Sequence, residues 1–77
     1  MLREFIKNAN KVDLDSHFPE FIQEALKAFD FGHVEMARLL KVSRPTVARW
    51  VNGEYAPHPL MRPATRDFLV KEAKKRL

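Results

Sequence analysis

Two short amphipathic segments separated by three residues restrict the fold that this chain can adopt. Apolar residues repeat at helical spacing over residues 34–40 and again over residues 44–51, and so short a connection makes the two helices cross steeply. Their backbones can touch only where a side chain is small, and Ala37 supplies that side chain. The apolar residues expected to close the core between the two helices are Met36, Leu40, Val42, Val47 and Trp50.

Both ends of the second segment carry helix-end signals. Ser43 has a hydroxyl that can cap a helix N-terminus, and Pro45 is tolerated in the first turn, where its missing N–H has no intrahelical partner. Gly53 lies just beyond the last periodic residue and suits a left-handed C-terminal position. We therefore predict a helix over residues 44–51, followed by an irregular loop over residues 54–59 that contains two prolines.

Three more helices are predicted from the remaining apolar residues. Residues 18–29 repeat at i, i+3, i+4, i+7 spacing, with Ser16 as the predicted cap and Pro19 in the first turn. Residues 2–9 show a shorter pattern, and a last helix is predicted to begin near Met61. No segment alternates with period two, so we expect no strand. The last helix is expected to present Ala64, Phe68, Leu69 and Ala73 as its apolar residues.

The predicted fold is all-α, a compact bundle of four to five helices. A chain of 77 residues buries only about 60% of the surface that it exposes when unfolded, which leaves no material for a second core. Because the chain has no cysteine, its stability must come from packing or self-association. We divide it into an N-terminal extension with a short helix, residues 1–16, and a domain of residues 17–77 that contains the two-helix segment.

Charge is distributed unevenly along the chain. Residues 1–31 carry four Lys or Arg and six Asp or Glu, a net charge of −2, whereas residues 32–77 carry ten and four, a net charge of +6. A basic region points to a polyanion, either nucleic acid or an anionic membrane surface. The longest apolar run is three residues, far below the roughly 20 that span a bilayer, so we expect a soluble cytoplasmic protein that does not enter membranes.

The segment GHVEMARLLKVSRPTVARWVNG resembles the helix-turn-helix of the phage Cro and lambda-type repressor family, also called Xre-like regulators. The resemblance covers about residues 17–70 and rests on the pattern AxxLxVSRPTVxRWxNG. Two positions depart from the family. Lys41 stands where a left-handed glycine is usual, at a cost of about 1 kcal/mol, and Gly32 stands where Ser or Thr caps the helix. The resemblance implies a symmetric homodimer that binds double-stranded DNA.

Residues for DNA contact follow from helix geometry and from the resemblance together. Because Val47 and Trp50 face the core, the opposite face of the helix over residues 44–51 can enter the major groove. An arginine there matches guanine O6 and N7 with two hydrogen bonds. The predicted base-contacting residues are Arg44, Pro45 and Arg49. The predicted backbone contacts are Gly32, His33, Arg38, Lys41, Ser43, Thr46, Asn52 and Arg62, with main-chain N–H groups at the start of the first helix of the pair meeting a phosphate.

These residues predict a sequence-specific transcriptional regulator. The expected protein is a small dimeric repressor or autorepressor of phage or bacterial origin that lies with the nucleoid, occupies a palindromic operator and excludes polymerase. Ser16 and His17 are adjacent, so their side chains diverge on a helix and cannot act together as a catalytic pair. We therefore expect that the chain is not an enzyme. We also expect no cofactor, metal or small-molecule substrate. The alternative is an antitoxin or adaptor that keeps the helix-turn-helix scaffold and binds protein.

The homodimer has two candidate surfaces in the sequence, one at each end of the chain. Both are amphipathic stretches outside the two-helix segment. The first comprises Leu2, Phe5 and Ile6, and the second comprises Phe68, Leu69 and Leu77.

Overall fold

The computed structural model describes residues 1–77 and consists of five α-helices without a strand, which confirms the all-α prediction. The helices are α1 (Leu2–Ala9), α2 (Leu14–Phe29), α3 (His33–Leu40), α4 (Arg44–Val51) and α5 (Met61–Lys75). The bundle has a radius of gyration of 11.2 Å. No helix combines the length and the apolar character needed to cross a membrane.

A single core of fourteen buried residues, all apolar, draws on every helix. The largest side chains at its centre are Phe18, Phe21, Ile22, Met36, Val47 and Leu69. Phe5 and Ala9 of α1 belong to the same core, and the Phe5 ring lies 5.5 Å from that of Phe21. Residues 1–16 therefore pack against the rest of the chain. The division into an extension, residues 1–16, and a domain, residues 17–77, stays a prediction.

The start of α2 differs from the prediction that Ser16 is its cap. The helix begins at Leu14, and the Asp13 carboxylate caps it by accepting the Asp15 N–H at 3.1 Å. The Ser16 hydroxyl donates to the same carboxylate at 3.0 Å. These two hydrogen bonds, the Ser16 bond first, lower the pKa of Asp13 because they favour its charged form. Ser16 thus supports the cap from inside the helix, and the prediction was wrong.

A kink at His17 divides α2 into a first turn, residues 14–16, and a longer second part. The backbone there has φ −129° and ψ 31°, outside the helical range. Pro19 follows the bend directly, so its missing N–H falls in the first turn of the second part and leaves no hydrogen bond unmade. Leu14, four residues before Phe18, is also buried in the core, so the apolar face of α2 continues across the bend.

Left-handed residues end α2, α3 and α4. They are Asp30 (φ 57°), Lys41 (φ 58°) and Gly53 (φ 75°). The left-handed conformation predicted at Lys41 and Gly53 is therefore confirmed. After α3, the Val42 N–H returns to the Ala37 carbonyl at 3.0 Å and closes the turn. This closure limits the connection between α3 and α4 to residues 41–43.

One face of α5 is buried, and it is narrower than the sequence predicted. Leu69 and Ala73 are completely buried, whereas Ala64 is exposed and the Phe68 side chain is 40% exposed. Phe68, Leu69 and Val70 are consecutive apolar residues, and successive residues point about 100° apart around a helix. Leu69 is completely buried and Val70 packs partly buried against the core, whereas Phe68 is exposed and is free for another role.

Candidate nucleic-acid interface

The start of α4 is built by the residues that the sequence singled out. The Ser43 hydroxyl accepts the Thr46 N–H at 3.2 Å, which confirms Ser43 as the N-cap, and Pro45 occupies the first turn. The hydroxyls of Ser43 and Thr46 are also 2.7 Å apart, so one donates to the other. This pair fixes the first turn of α4 and keeps only one hydroxyl proton available to an outside acceptor.

The opposite face of α4 is anchored in the core. Val47 and Trp50 are buried, and the Trp50 ring stands edge-to-face against Phe18 with the ring centroids 5.5 Å apart. At the end of the helix, the Gln23 side-chain amide donates to the Val51 carbonyl at 2.8 Å. Because these contacts fix the rotation of α4 about its axis, the face opposite the core is the face presented to solvent. The base-contacting candidates Arg44, Pro45 and Arg49 are all exposed on it.

The segment from Gly32 to Gly53 has a surplus of unpaired positive charge. It carries four Lys or Arg and one Glu, a formal charge of +3. The four cations are Arg38, Lys41, Arg44 and Arg49; all are exposed, and none takes part in any of the five salt bridges of the structure. Such side chains can pair with phosphate or base edges without first breaking a contact inside the chain.

The start of α3 is a less open anion site than the sequence suggested. Gly32 is its N-cap in extended conformation, as predicted, but the Gly32 N–H already donates to the Glu35 carboxylate at 2.9 Å. The N–H groups of His33 and Val34 make no hydrogen bond within the chain. A phosphate at this end would therefore meet two free donors and one nearby carboxylate that opposes it.

Arg62 and Asn52 lie in contrasting surroundings. The Arg62 guanidinium bonds the Asp15 carboxylate through Nη1 at 3.0 Å and the Pro57 carbonyl through Nε at 2.8 Å, and its side chain is only 17% exposed. It therefore ties the loop after α4 to the start of α2, and the structure does not group it with the four free cations. Asn52 is exposed just past α4, and its side chain makes no hydrogen bond in the chain.

Sequence reasoning missed two residues of this region. Glu35 stands three residues after the Gly32 cap, which is the spacing of the acidic residue in a capping box. Its hydrogen bond to the Gly32 N–H could therefore have been predicted from the sequence. Gln23 carried none. It is a polar residue within the apolar pattern of α2, and its partner Val51 is 28 residues away along the chain.

An exposed apolar surface adjoins the unit formed by α3 and α4. We call it the α3–α5 patch; it is a shallow groove lined by Leu39, Leu40, Lys41, Met61, Ala64, Thr65 and Phe68. Met61 is 55% exposed and the neighbouring Leu60 is 81% exposed. Of the residues predicted for a dimer surface, Phe5 and Leu69 are buried in the core and are unavailable, whereas Phe68 lies in the patch.

No protein-family model, curated protein or solved structure matches this chain.

Proposed function

We propose that this chain binds double-stranded DNA sequence-specifically, with α4 in the major groove, and acts as a small dimeric transcriptional repressor. The observation that carries the proposal is the group of four exposed, unpaired cations around a helix whose other face is anchored by Trp50 and Gln23. A rigidly held helix with free cations has the two properties that groove recognition needs, a fixed orientation and charge available to the nucleic acid.

The two arginines of α4 are the proposed base readers. Arg44 is the first residue of the helix and Arg49 lies more than one turn later, both on the face away from the core. Each guanidinium can bond guanine O6 and N7 in parallel, so a G·C pair is expected opposite each arginine. Pro45 lies between them on the same face and offers apolar surface to a thymine methyl.

Residues around α4 are the proposed phosphate contacts. Lys41 and Arg38 supply unpaired charge before the helix, and Asn52 has a free amide after it. The hydroxyl pair of Ser43 and Thr46 retains one proton for a phosphate oxygen. The remaining proposed backbone contacts are the free N–H groups of His33 and Val34 at the start of α3, without Gly32, whose N–H already donates to Glu35.

The α3–α5 patch is the proposed surface of the homodimer. Lys41 belongs both to the patch and to the turn before α4, so a dimer formed through the patch would have the start of each α4 close to the interface. Two such helices can enter successive major grooves about 34 Å apart on a palindromic operator. The bound dimer would then block polymerase, and protein concentration alone would set occupancy.

An adaptor or antitoxin that binds protein is the second candidate function. The observation that favours it is the same patch, since its residues Met61 and Phe68 and the neighbouring Leu60 are all exposed apolar side chains. The two functions differ in what α4 does. In the adaptor, the four cations would contribute nothing to affinity for duplex DNA.

Selection from a random duplex library tests the proposed function. We expect enrichment of a palindrome with G·C pairs in each half-site, and loss of preference at one base pair when the selection is repeated with Arg49→Ala. Arg3→Ala is the matched control, because Arg3 is an exposed arginine of α1 without a salt bridge. If the selection yields no common sequence, α4 does not read bases.

A further inference from the structure

A groove of about 240 Å³ lies between α1 and α2 and takes no part in the proposed DNA contact. We call it the α1–α2 groove. Phe5, Phe21 and Ala28 contribute to its apolar floor, and three carboxylates, Glu4, Glu20 and Glu24, stand around it. None of its ten lining residues is Lys or Arg, and the one cation among them, the ammonium of Met1, leaves an excess of negative charge although the chain as a whole has a net charge of +4.

The size of the groove limits what can occupy it. Pockets for cofactors and drug-sized molecules are about 300 to 1,000 Å³ and enclose most of the ligand, whereas this groove is smaller and open on one side. It accommodates one aromatic or two aliphatic side chains. An occupant of that size would be the anchor of a larger body, as when an amphipathic helix places one or two residues in a surface groove.

The charge of the rim selects a cationic occupant. Glu4 forms no salt bridge, while Glu20 lies 3.5 Å from His17 and Glu24 lies 3.7 Å from Lys27. Both pairs are more than 60% exposed, so they contribute little and can be exchanged for contacts with another molecule. Three carboxylates around an apolar floor complement Lys or Arg beside an apolar anchor and repel a nucleic acid.

The groove and α4 lie on different sides of α2. Gln23 contacts the end of α4, whereas Phe21, Glu24 and Ala28 line the groove. At 100° per residue these three are about 100° to 160° away from Gln23 around the helix axis. A molecule in the groove would therefore leave the exposed face of α4 uncovered.

We propose that the α1–α2 groove is a docking site for a helix of another protein, one that carries Lys or Arg around one or two apolar anchor residues. The apolar anchor fills the floor at Phe5, Phe21 and Ala28, and the cations pair with Glu4, Glu20 and Glu24. Docking does not depend on the proposed DNA binding, because it uses a separate surface of opposite charge.

Three acetylated 16-residue helical peptides test the proposal on the whole chain. The first has Leu and Phe at every third or fourth position and Lys elsewhere, the second replaces each Lys by Glu, and the third replaces each Leu and Phe by Ser. We expect the first to bind at least tenfold more tightly than either of the others in fluorescence anisotropy. In ¹⁵N-labelled protein its largest amide shifts should fall at Phe5, Phe21 and Ala28. Equal affinity for all three peptides, or shifts centred on the α3–α5 patch, would overturn the proposal.

Two variants locate the binding. Neutralising the rim with Glu4→Gln, Glu20→Gln and Glu24→Gln should weaken the first peptide about tenfold, while Asp30→Asn, Glu54→Gln and Asp67→Asn, which neutralise three exposed carboxylates outside the groove, should leave its affinity unchanged. Melting curves establish that both variants fold. If neutralising the rim leaves binding unchanged, or alters self-association of the chain, the groove does not hold a cationic helix of another protein.

Discussion

The side-chain amide of Gln23 donates a hydrogen bond of 2.8 Å to the backbone carbonyl of Val51, which joins α2 to the last residue of α4. A carbonyl in the last turn of a helix has no intrahelical donor, and this one is partly buried. Gln23 therefore both satisfies that carbonyl and fixes α4 against the core.

Replacing Gln23 by Leu should lower the free energy of unfolding by about 1 to 2 kcal/mol, because the Val51 carbonyl is left without its donor. Urea unfolding followed by Trp50 fluorescence measures the change. Lys27→Leu, at an exposed position of the same helix, serves as the control and should change stability by less than about 0.5 kcal/mol. Equal stability of Gln23→Leu and the parent chain would mean that α4 is held without this bond.

Trp50→Ala should leave the chain largely unfolded at room temperature. The substitution empties a buried site against Phe18 and should cost about 3 to 5 kcal/mol, a large part of the stability of a small domain. Circular dichroism measures the loss of helix, and Trp50→Phe, which keeps an aromatic ring there, should melt between the two. If Trp50→Ala melts like the parent and loses only DNA binding, the rotation assigned to α4 is wrong.

Lys41→Gly should raise stability and weaken DNA binding at the same time. Glycine relieves the left-handed strain at φ 58°, worth about 1 kcal/mol, and removes a cation from the turn before α4. Because Lys41 is assigned to phosphate, specific and random duplexes should lose affinity alike. Thermal melting and titrations with both duplexes measure the two effects.

Asp30→Gly is the matched control for Lys41→Gly, because Asp30 has the same left-handed conformation at the end of α2. It should raise stability without weakening DNA binding. If Lys41→Gly is less stable than the parent chain, Lys41 is not under left-handed backbone strain. If its affinity for DNA is unchanged, Lys41 does not contact DNA.

The sequence predicts the α4 region well because the chemistry that ends this helix is local. Ser43, Pro45 and Gly53 act on their immediate neighbours, so the bounds of α4 follow from residues within one turn of each end. The start of α2 is harder, since Asp13 and Ser16 are both good caps in sequence. Only the hydrogen bond from the Asp15 N–H to the Asp13 carboxylate shows which of them caps the helix.

Tertiary packing decides what local chemistry leaves open. Arg62 donates hydrogen bonds to Asp15, far away in the sequence, and to Pro57. An arginine expected to contact DNA is therefore paired within the chain. The exposure of Phe68 depends on which of three consecutive apolar residues meets the core. The α1–α2 groove forms where two helices pack side by side, and the periodicity of apolar residues within each helix does not predict a space between them.

Phe68→Ser should convert a dimer into a folded monomer. Phe68 is 40% exposed in the α3–α5 patch, so its loss removes apolar contact area from the proposed interface while the core remains intact. Sedimentation equilibrium measures the mass, and melting confirms the fold. Tyr55→Ser is the control, because Tyr55 is exposed outside the patch and its replacement should not affect the mass. A parent chain that is monomeric at all concentrations would exclude the proposed dimer.

The salt dependence of DNA affinity tests the central claim most directly. If each chain neutralises about three phosphates, a dimer releases counterions from about six, and log K against log salt should have a slope near −5, since each phosphate contributes roughly −0.9. The measurement uses the duplex enriched by selection, titrated with the parent chain at several salt concentrations. A slope near −5 is the predicted result, whereas a slope near zero would contradict DNA binding through α4.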